Sequence, residues 1–309
     1  MITPGPGLPQ FVGTCGQTLE NPVREPILVL GGTGKTGRRV VDRLRACGVP
    51  VRVGSRSADP PFDWDDRSTW ATALNGTSAA YVSFFPDLAV PGAPEAVAAL
   101  SAQAVDSGTR RLVLLSGRGE EEAQRAERVL QESQIAEWTV VRCSWFFQNF
   151  SESFWVESML AGDVALPTEG VGEPFVDAED IADVAVAALT QDGHSGQVYE
   201  LTGPRLLTFA QAIDEIGQAC GRRLRYAPIS MEDFASALAE QHVPDDVIGL
   251  LRYLFGEVLD GRNASLADGV QRALGREPRD FGDYARRTAA TGIWTPGTEG
   301  QPDTQEDRS

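Results

Sequence analysis

Residues 30–37 read LGGTGKTG, and two kinds of nucleotide loop compete for them. Gly34-Lys35-Thr36 is the tail of a triphosphate loop, whereas Gly31, Gly34 and Gly37 have the spacing of a dinucleotide loop. A triphosphate loop needs G-x-x-x-x-G-K-[ST], because several backbone N–H groups must wrap one phosphate. That pattern puts its first glycine at position 29, which is Val29 inside an apolar run. The dinucleotide spacing is complete. Its first glycine permits the tight turn, its second lets backbone approach a pyrophosphate, and its third lets a helix lie close to a strand. The flanks agree. Ile27-Leu28-Val29-Leu30 reads as a fully buried strand. After Gly37, Val40, Val41 and Leu44 share one helical face and Gly48 can end the helix. Thr33, Lys35 and Thr36 complete the loop, and the helix start offers its N–H groups and positive dipole end to an anion.

Outward from this unit, strands and helices alternate. Val51-Arg52-Val53, Ala79–Val82, Leu112–Leu115, Thr139–Val141 and Val198–Leu201 read as strands, with a further short one before Asp63. Residues 93–108, 120–133 and 177–190 read as helices between them. Such alternation with right-handed crossovers gives an α/β fold, a doubly wound parallel sheet covered on both faces. The sheet domain is expected over residues 26–203. Residues 204–294 should form a smaller, mainly helical cap whose late strands return to the sheet. Thr208 with Gln211 and Ser230 with Asp233 mark helix starts there. Residues 1–25 read as a mobile arm and 295–309 as a disordered tail.

The composition narrows the function. The chain of 309 residues carries a net charge of −17 with no block of Lys or Arg, which speaks against nucleic acid and anionic membranes as partners. No apolar run approaches the ~20 residues of a membrane span. The start lacks a secretion signal, so a cytoplasmic location is expected. Cys15, Cys47, Cys143 and Cys220 form no C-x-x-C, and His194 and His242 are far apart. Neither a metal site nor a Ser-His-Asp triad is expected. His194, in DGHSG, should be an exposed turn residue. Asn263-Ala264-Ser265 matches a glycosylation acceptor by chance.

The residue after the second strand selects the dinucleotide: an acid there reads the NAD ribose, whereas an arginine accepts the 2′-phosphate of NADP. The segment is Gly54-Ser55-Arg56-Ser57, so NADP(H) is the expected cofactor and Arg56 its discriminating contact. Asp63 and Trp64 can flank the adenine, although core packing accounts for Trp64 nearly as well.

Taken together, LGGTGKTG, GSRS, FDWDD, VLLSGRGEEEAQRAE, WTVVRCSWFFQNF, PFVDAEDIADVAVAAL, YELTGP and PRDFGDYARRTAATGIW resemble the NmrA-like branch of the atypical short-chain dehydrogenases. Within it they are similar to the ergot-alkaloid group, of the agroclavine and festuclavine synthase type. The resemblance spans roughly residues 26–294. It implies an NADP-binding Rossmann fold. The ergot group implies reduction of an iminium C=N bond by NADPH, and other NmrA-like proteins imply a redox sensor that reduces nothing. Typical short-chain dehydrogenases use Tyr-x-x-x-Lys to protonate a carbonyl oxygen. Lys35, in the glycine loop, is the chain's single lysine, and that pair is absent. An electron-poor iminium carbon asks for orientation more than for a general acid, so an imine or iminium of secondary metabolism is the leading substrate. A quinone- or azo-type reductase is the alternative enzyme.

In an open α/β sheet the site lies beyond the carboxyl ends of the strands. Those ends hold Ser83-Phe84-Phe85, Ser116-Gly117-Arg118 and Cys143-Ser144-Trp145. Ser83, Phe84, Ser116 and Gly117 are candidate cofactor contacts, and Ser116 and Asn149 the candidates for catalysis. Ser116 serves equally well as a cap for the following helix. Phe146, Phe150 and Phe154 recur at helical spacing, which usually means core. With Phe85, Trp145, Gln148 and Asn149 they are also placed to wall a pocket for a flat, apolar or cationic small molecule. Val247, Leu251, Leu254 and Val258 form a further apolar helical face, read as cap packing.

Overall fold

The computed structural model describes residues 25–296. The predicted arm, apart from Glu25, and the tail beyond Pro296 lie outside the described residues. In chain order the strands are β1 (Ile27–Leu30), β2 (Val51–Gly54), β3 (Ala79–Val82), β4 (Arg111–Gly117), β5 (Glu137–Cys143), β6 (Asp163–Leu166), β7 (Gln197–Leu201) and β8 (Arg225–Pro228). The main sheet runs β2-β1-β3-β4-β5-β7, and every pair in it is parallel. Strand order reverses between β1 and β3, and this switch point is the ligand crevice of open α/β sheets.

The helices are α1 (Lys35–Ala46), α2 (Trp70–Leu74), α3 (Ala93–Asp106), α4 (Glu121–Gln131), α5 (Trp155–Ala161), α6 (Ala178–Thr190), α7 (Phe209–Cys220), α8 (Met231–Glu240), α9 (Asp245–Tyr253), α10 (Gly269–Leu274) and α11 (Phe281–Ala289). Helices α1 and α6 cover one face of the sheet through Val40, Val41, Leu44, Ile181 and Val184. Helices α2, α3 and α4 cover the other through Trp70, Val97, Leu100 and Leu130. The continuous apolar runs of β1 and β3 follow from this double coverage. A separate aromatic core gathers Phe147, Phe150, Phe175, Phe209, Phe281 and Trp294 from the segments after β5 and β7.

Several expectations change. No strand precedes Asp63; residues 55–66 run as a loop from β2. The late strands divide: β7 joins β5 in the main sheet, whereas β8 pairs with the unforeseen β6 as a two-stranded sheet of its own. His194 is buried, with Nδ1 2.8 Å from the Tyr199 hydroxyl, because the turn folds back on β7. The apolar face expected from Val247 to Val258 is broken where α9 widens into a π-helix at Leu254–Val258. The buried positions are Ile248, Phe255, Val258 and Leu259, of which Val258 alone belongs to the expected face. The capping box at Thr208 and Gln211 and the Ser230 cap on Asp233 form as expected. No helix among the described residues is long and apolar enough to cross a membrane, and no group of His, Cys, Asp or Glu there can hold a metal ion.

Ion pairs tie residues 276–279 to α6. Asp180, on α6 and fully buried, receives Arg276 at 2.7 Å, the Arg279 guanidinium, and the Arg279 backbone N–H at 2.7 Å. Asp183 one turn on binds Arg43 of α1 at 2.6 Å and Arg276 at 2.6 Å. Desolvation works against the Glu179 carboxylate, yet hydrogen bonds from Arg43 and Arg39 hold its pKa down at about 2. Removing one partner of such a cluster strands the others. Asp180→Ala is expected to cost about 3–5 kcal/mol in guanidinium unfolding, and a loss below about 1 kcal/mol would show that the cluster is solvated like a surface ion pair.

Candidate active site

The three glycines of the loop play distinct backbone parts. Gly31 turns the chain with φ +68°. A Cβ on Gly37 would overlap the Gly31 carbonyl oxygen, so only glycine lets α1 start this close to β1. A Cβ on Gly34 would meet only the Gly31 oxygen, 3.2 Å away, and otherwise open space. Gly34 is also the N-cap of α1, with no side-chain cap and no acid in the first turn. The first-turn amides therefore point into the crevice without a partner, a donor set that fits a dinucleotide pyrophosphate. Thr33 is exposed at the same crest. A Cβ on Gly31 would sit 3.2 Å from the Ser83 Cβ, which places Ser83 directly across the switch point. Thr36 turns the other way, since its buried hydroxyl accepts from Tyr81 at 3.0 Å under the helix.

Lys35 extends from the loop to the segment after β5, donating to Asn149 Oδ1 at 3.1 Å. Burial lowers its pKa, with Glu152 pulling the other way and Arg38 and Arg39 adding to the fall. Arg56 stands exposed after β2, with no hydrogen bond or ion pair among the described residues. Trp64 lies half-buried with its ring 4.7 Å from Phe84 and 5.0 Å from Phe62, so it closes the aromatic core of that face. The Asp63 carboxylate accepts from Asp65 N at 3.1 Å and shapes the turn.

The expected pocket wall is only partly there. Phe85 is 69% exposed, and Trp145, Phe146 and Asn149 are half-buried. Gln148 is buried elsewhere, clamping the start of α6 through Asp177 at 2.7 Å and Ala178 N at 2.8 Å. Phe150 is fully buried among Phe175, Phe209 and Phe281. The helical stripe does not exist as such: Phe147–Phe150 is one 3₁₀ turn, α5 begins at Trp155, and Phe154 is exposed. Trp145 stacks on Trp155, with centroids 6.2 Å apart and planes at 13°. The buried Trp155 Nε1 has no hydrogen-bond partner. Ser116 donates to Glu127 Oε1 at 2.6 Å inside the α4 layer, and Arg142 clamps the same carboxylate. That bond turns the hydroxyl away from the crevice. Two surface cavities lie off the crevice; the larger, about 570 Å³, is lined by Arg39, Glu152, Glu179 and Arg279, which are already paired.

Four residues at the strand ends escaped the sequence reading. Arg118 is 6% exposed and binds Glu200 at 2.5 Å, Ser144 Oγ at 3.1 Å and the carbonyls of Asn263 and Ser265, each at 3.1 Å. It fastens the cap segment across β4, β5 and β7, and Asn263 is buried there rather than open to modification. Glu120 folds over Gly117, within electrostatic reach of Asp87. Glu173, 1% exposed, accepts from Trp145 N at 3.4 Å; burial pushes its pKa up to about 7, against the pull of that N–H and of Arg118. Only the acid run at residues 120–122 was visible in sequence, and it reads as a helix start.

The sign for Glu173 is fixed by a folded pKa above the usual 4.5. Its protonated form favours folding fully below about 4.5, and the benefit is lost as pH rises through about 7. Glu173→Gln is therefore expected to change stability little at pH 4 and to gain roughly 3 kcal/mol over the wild type by pH 8 in urea unfolding; an equal difference at both pH values would refute the assignment.

No family model matches the chain. An uncharacterised oxidoreductase of Bacillus subtilis, YesF, is 32% identical over 88% of this chain and 99% of its own length. Festuclavine dehydrogenase of Aspergillus fumigatus is 30% identical over 85% of this chain and 98% of its own. Among solved structures, the Citrobacter triphenylmethane reductase complexed with NADP(H) has a TM-score of 0.70 at 18% identity, covering 85% of this chain and 99% of its own, and so shares the fold. The glycine loop, the parallel sheet and full-length identity at this level agree: the chain belongs to the NmrA-like branch of the atypical short-chain dehydrogenase/reductases, a family of NAD(P)-dependent oxidoreductases.

Proposed function

We propose that the protein is an NADPH-dependent reductase that transfers hydride to an activated small-molecule acceptor, foremost an imine or iminium. The observation that carries this reading is the open, uncapped start of α1 at Gly34 with an unengaged Arg56 at the end of β2. In this reading the first-turn amides of α1 hold the pyrophosphate, and the planar Arg56 guanidinium forks onto the 2′-phosphate. Ser55 and Ser57, whose hydroxyls lie 3.4 Å apart, flank that phosphate. Lys35, braced by Asn149, keeps a positive charge beside the loop and fixes its distance from the strand ends. A reduced nicotinamide, when bound, supplies the hydride. Phe85 and Trp145 offer flat apolar faces to the acceptor, suited to an aromatic or cationic ring. The festuclavine dehydrogenase relative supports a nitrogen-containing acceptor, and the net charge of −17 supports a neutral or cationic one.

Two measurements test this. Arg56→Ala should weaken NADPH by about 10–100-fold, the worth of a charge-assisted phosphate contact, while NADH changes less than about threefold by the same reasoning. Equal weakening of both places the 2′-phosphate elsewhere. Stopped-flow NADPH oxidation across cyclic imines, N-alkyl iminium salts, quinones, enones and triarylmethane dyes should show turnover, with Trp145→Ala raising KM about tenfold, the scale of one aromatic contact. Tight NADPH binding with no turnover of any acceptor would favour a redox sensor.

A further inference from the structure

Glu120 is the N-cap of α4, directly after β4, but its side chain makes no capping bond. It folds back over Gly117, the last residue of β4, so closely that a Cβ on Gly117 would overlap the carboxylate. Gly117 pairs with Cys143, the last residue of β5. Asp87, in the loop after β3, lies within electrostatic reach of Glu120. The Glu120 carboxyl therefore lies over the carboxyl edge of the central strands, within the crevice that the glycine loop opens. Asp87 is two residues from the exposed Phe85.

The charged and titratable groups around it leave Glu120 without a cation. Arg118 beside it reaches away to Glu200. Glu127 of α4 is taken by Arg142 and Ser116, and Cys143 of β5 is a buried thiol. From the cap, the Tyr253 hydroxyl accepts from Glu121 N at 3.1 Å. Neither Glu120 nor Asp87 has an Arg or Lys partner among the described residues. Desolvation, then Asp87 and Glu127, push the Glu120 pKa well above the usual range, and desolvation raises Asp87 as well. Both shifts favour the neutral carboxyl, more strongly at Glu120 than at Asp87.

We propose that Glu120, paired with Asp87, is the proton donor of the reduction, and that the preferred substrates are neutral acceptors whose nitrogen or oxygen is protonated as hydride arrives. This rests on the reductase reading above. Hydride forms a new C–H bond at the electrophilic carbon, and the π pair of the C=N or conjugated C=O moves onto the heteroatom. The O–H bond of Glu120 breaks and an N–H or O–H bond forms. The half-buried Asp87 then relays a solvent proton to the remaining carboxylate. The pair takes the part that Tyr-x-x-x-Lys plays in typical short-chain enzymes, from the opposite end of the pKa scale.

The test compares wild type, Glu120→Gln and Asp87→Asn with a neutral cyclic imine and its N-methyl iminium salt, which needs no proton. Glu120→Gln should lower kcat on the imine about 100-fold, the usual worth of a general acid, with a much smaller loss on the iminium salt and NADPH affinity kept within threefold. Asp87→Asn should shift the alkaline limb of the imine pH profile. Infrared titration without cofactor, in a Glu173→Gln background that removes another raised carboxyl, should show a carboxylic-acid band that outlasts the surface carboxylates as pH rises and weakens in Glu120→Gln. Equal losses on both acceptors, or an unchanged infrared band, would overturn the assignment even if NADPH affinity falls with folding intact. Absence of wild-type turnover with either acceptor would instead remove the reductase reading itself.

Discussion

Everything in this molecule is arranged around one close approach, that of the start of α1 to the end of β1. Because position 37 lacks a side chain, the Gly31 carbonyl can lie against it. The positive end of α1 is thereby fixed at the point where strand order reverses. A methyl group there would push the helix outward, and the amides would no longer converge on an anion. Lys35 and Ser83 are placed by the same contact, one reaching toward β5 and the other touching the loop from β3.

A second constraint acts at the carboxyl ends of the strands. Arg118 has one buried guanidinium and binds groups from β5, β7 and the segment after the π-helix. Charged hydrogen bonds of this kind are expensive to leave unmade, so they specify where the cap segment sits. The acid at Glu120 gains its character from the same arrangement: Arg118 is spent on Glu200 and Arg142 on Glu127, and Asp87 brings no cation of its own. The aromatic core of the cap adds Trp145 as a half-buried face next to this acid edge.

The glycine loop, β1, α1 and the five main-sheet strands read in sequence were legible because each is written in neighbours. Buried parallel strands are short apolar runs, and α1 shows its face at i, i+3 and i+4. The segment 145–154 was misread for the same reason. Its phenylalanines have helical spacing, yet the chain makes one 3₁₀ turn and then a new helix, since Gln148 is drawn to the start of α6 and Phe150 into the cap. Burial of His194 and the pairing of β6 with β8 likewise depend on partners that local pattern does not name.

The sequence by itself determined the sheet, the nucleotide-type loop and the position of Arg56 after β2, because those features are fixed by residues a few places apart. Tertiary structure alone decided which side chains face the crevice. Ser116 was turned inward by Glu127, Gln148 and Phe150 were withdrawn, Arg118 was buried between strand ends and the segment at Asn263, and Glu120 was folded over Gly117. The Arg118 contact to Asn263 spans 145 positions. Hydrophobic periodicity carries no record of such a distance, since it reports which face is buried and not what it is buried against.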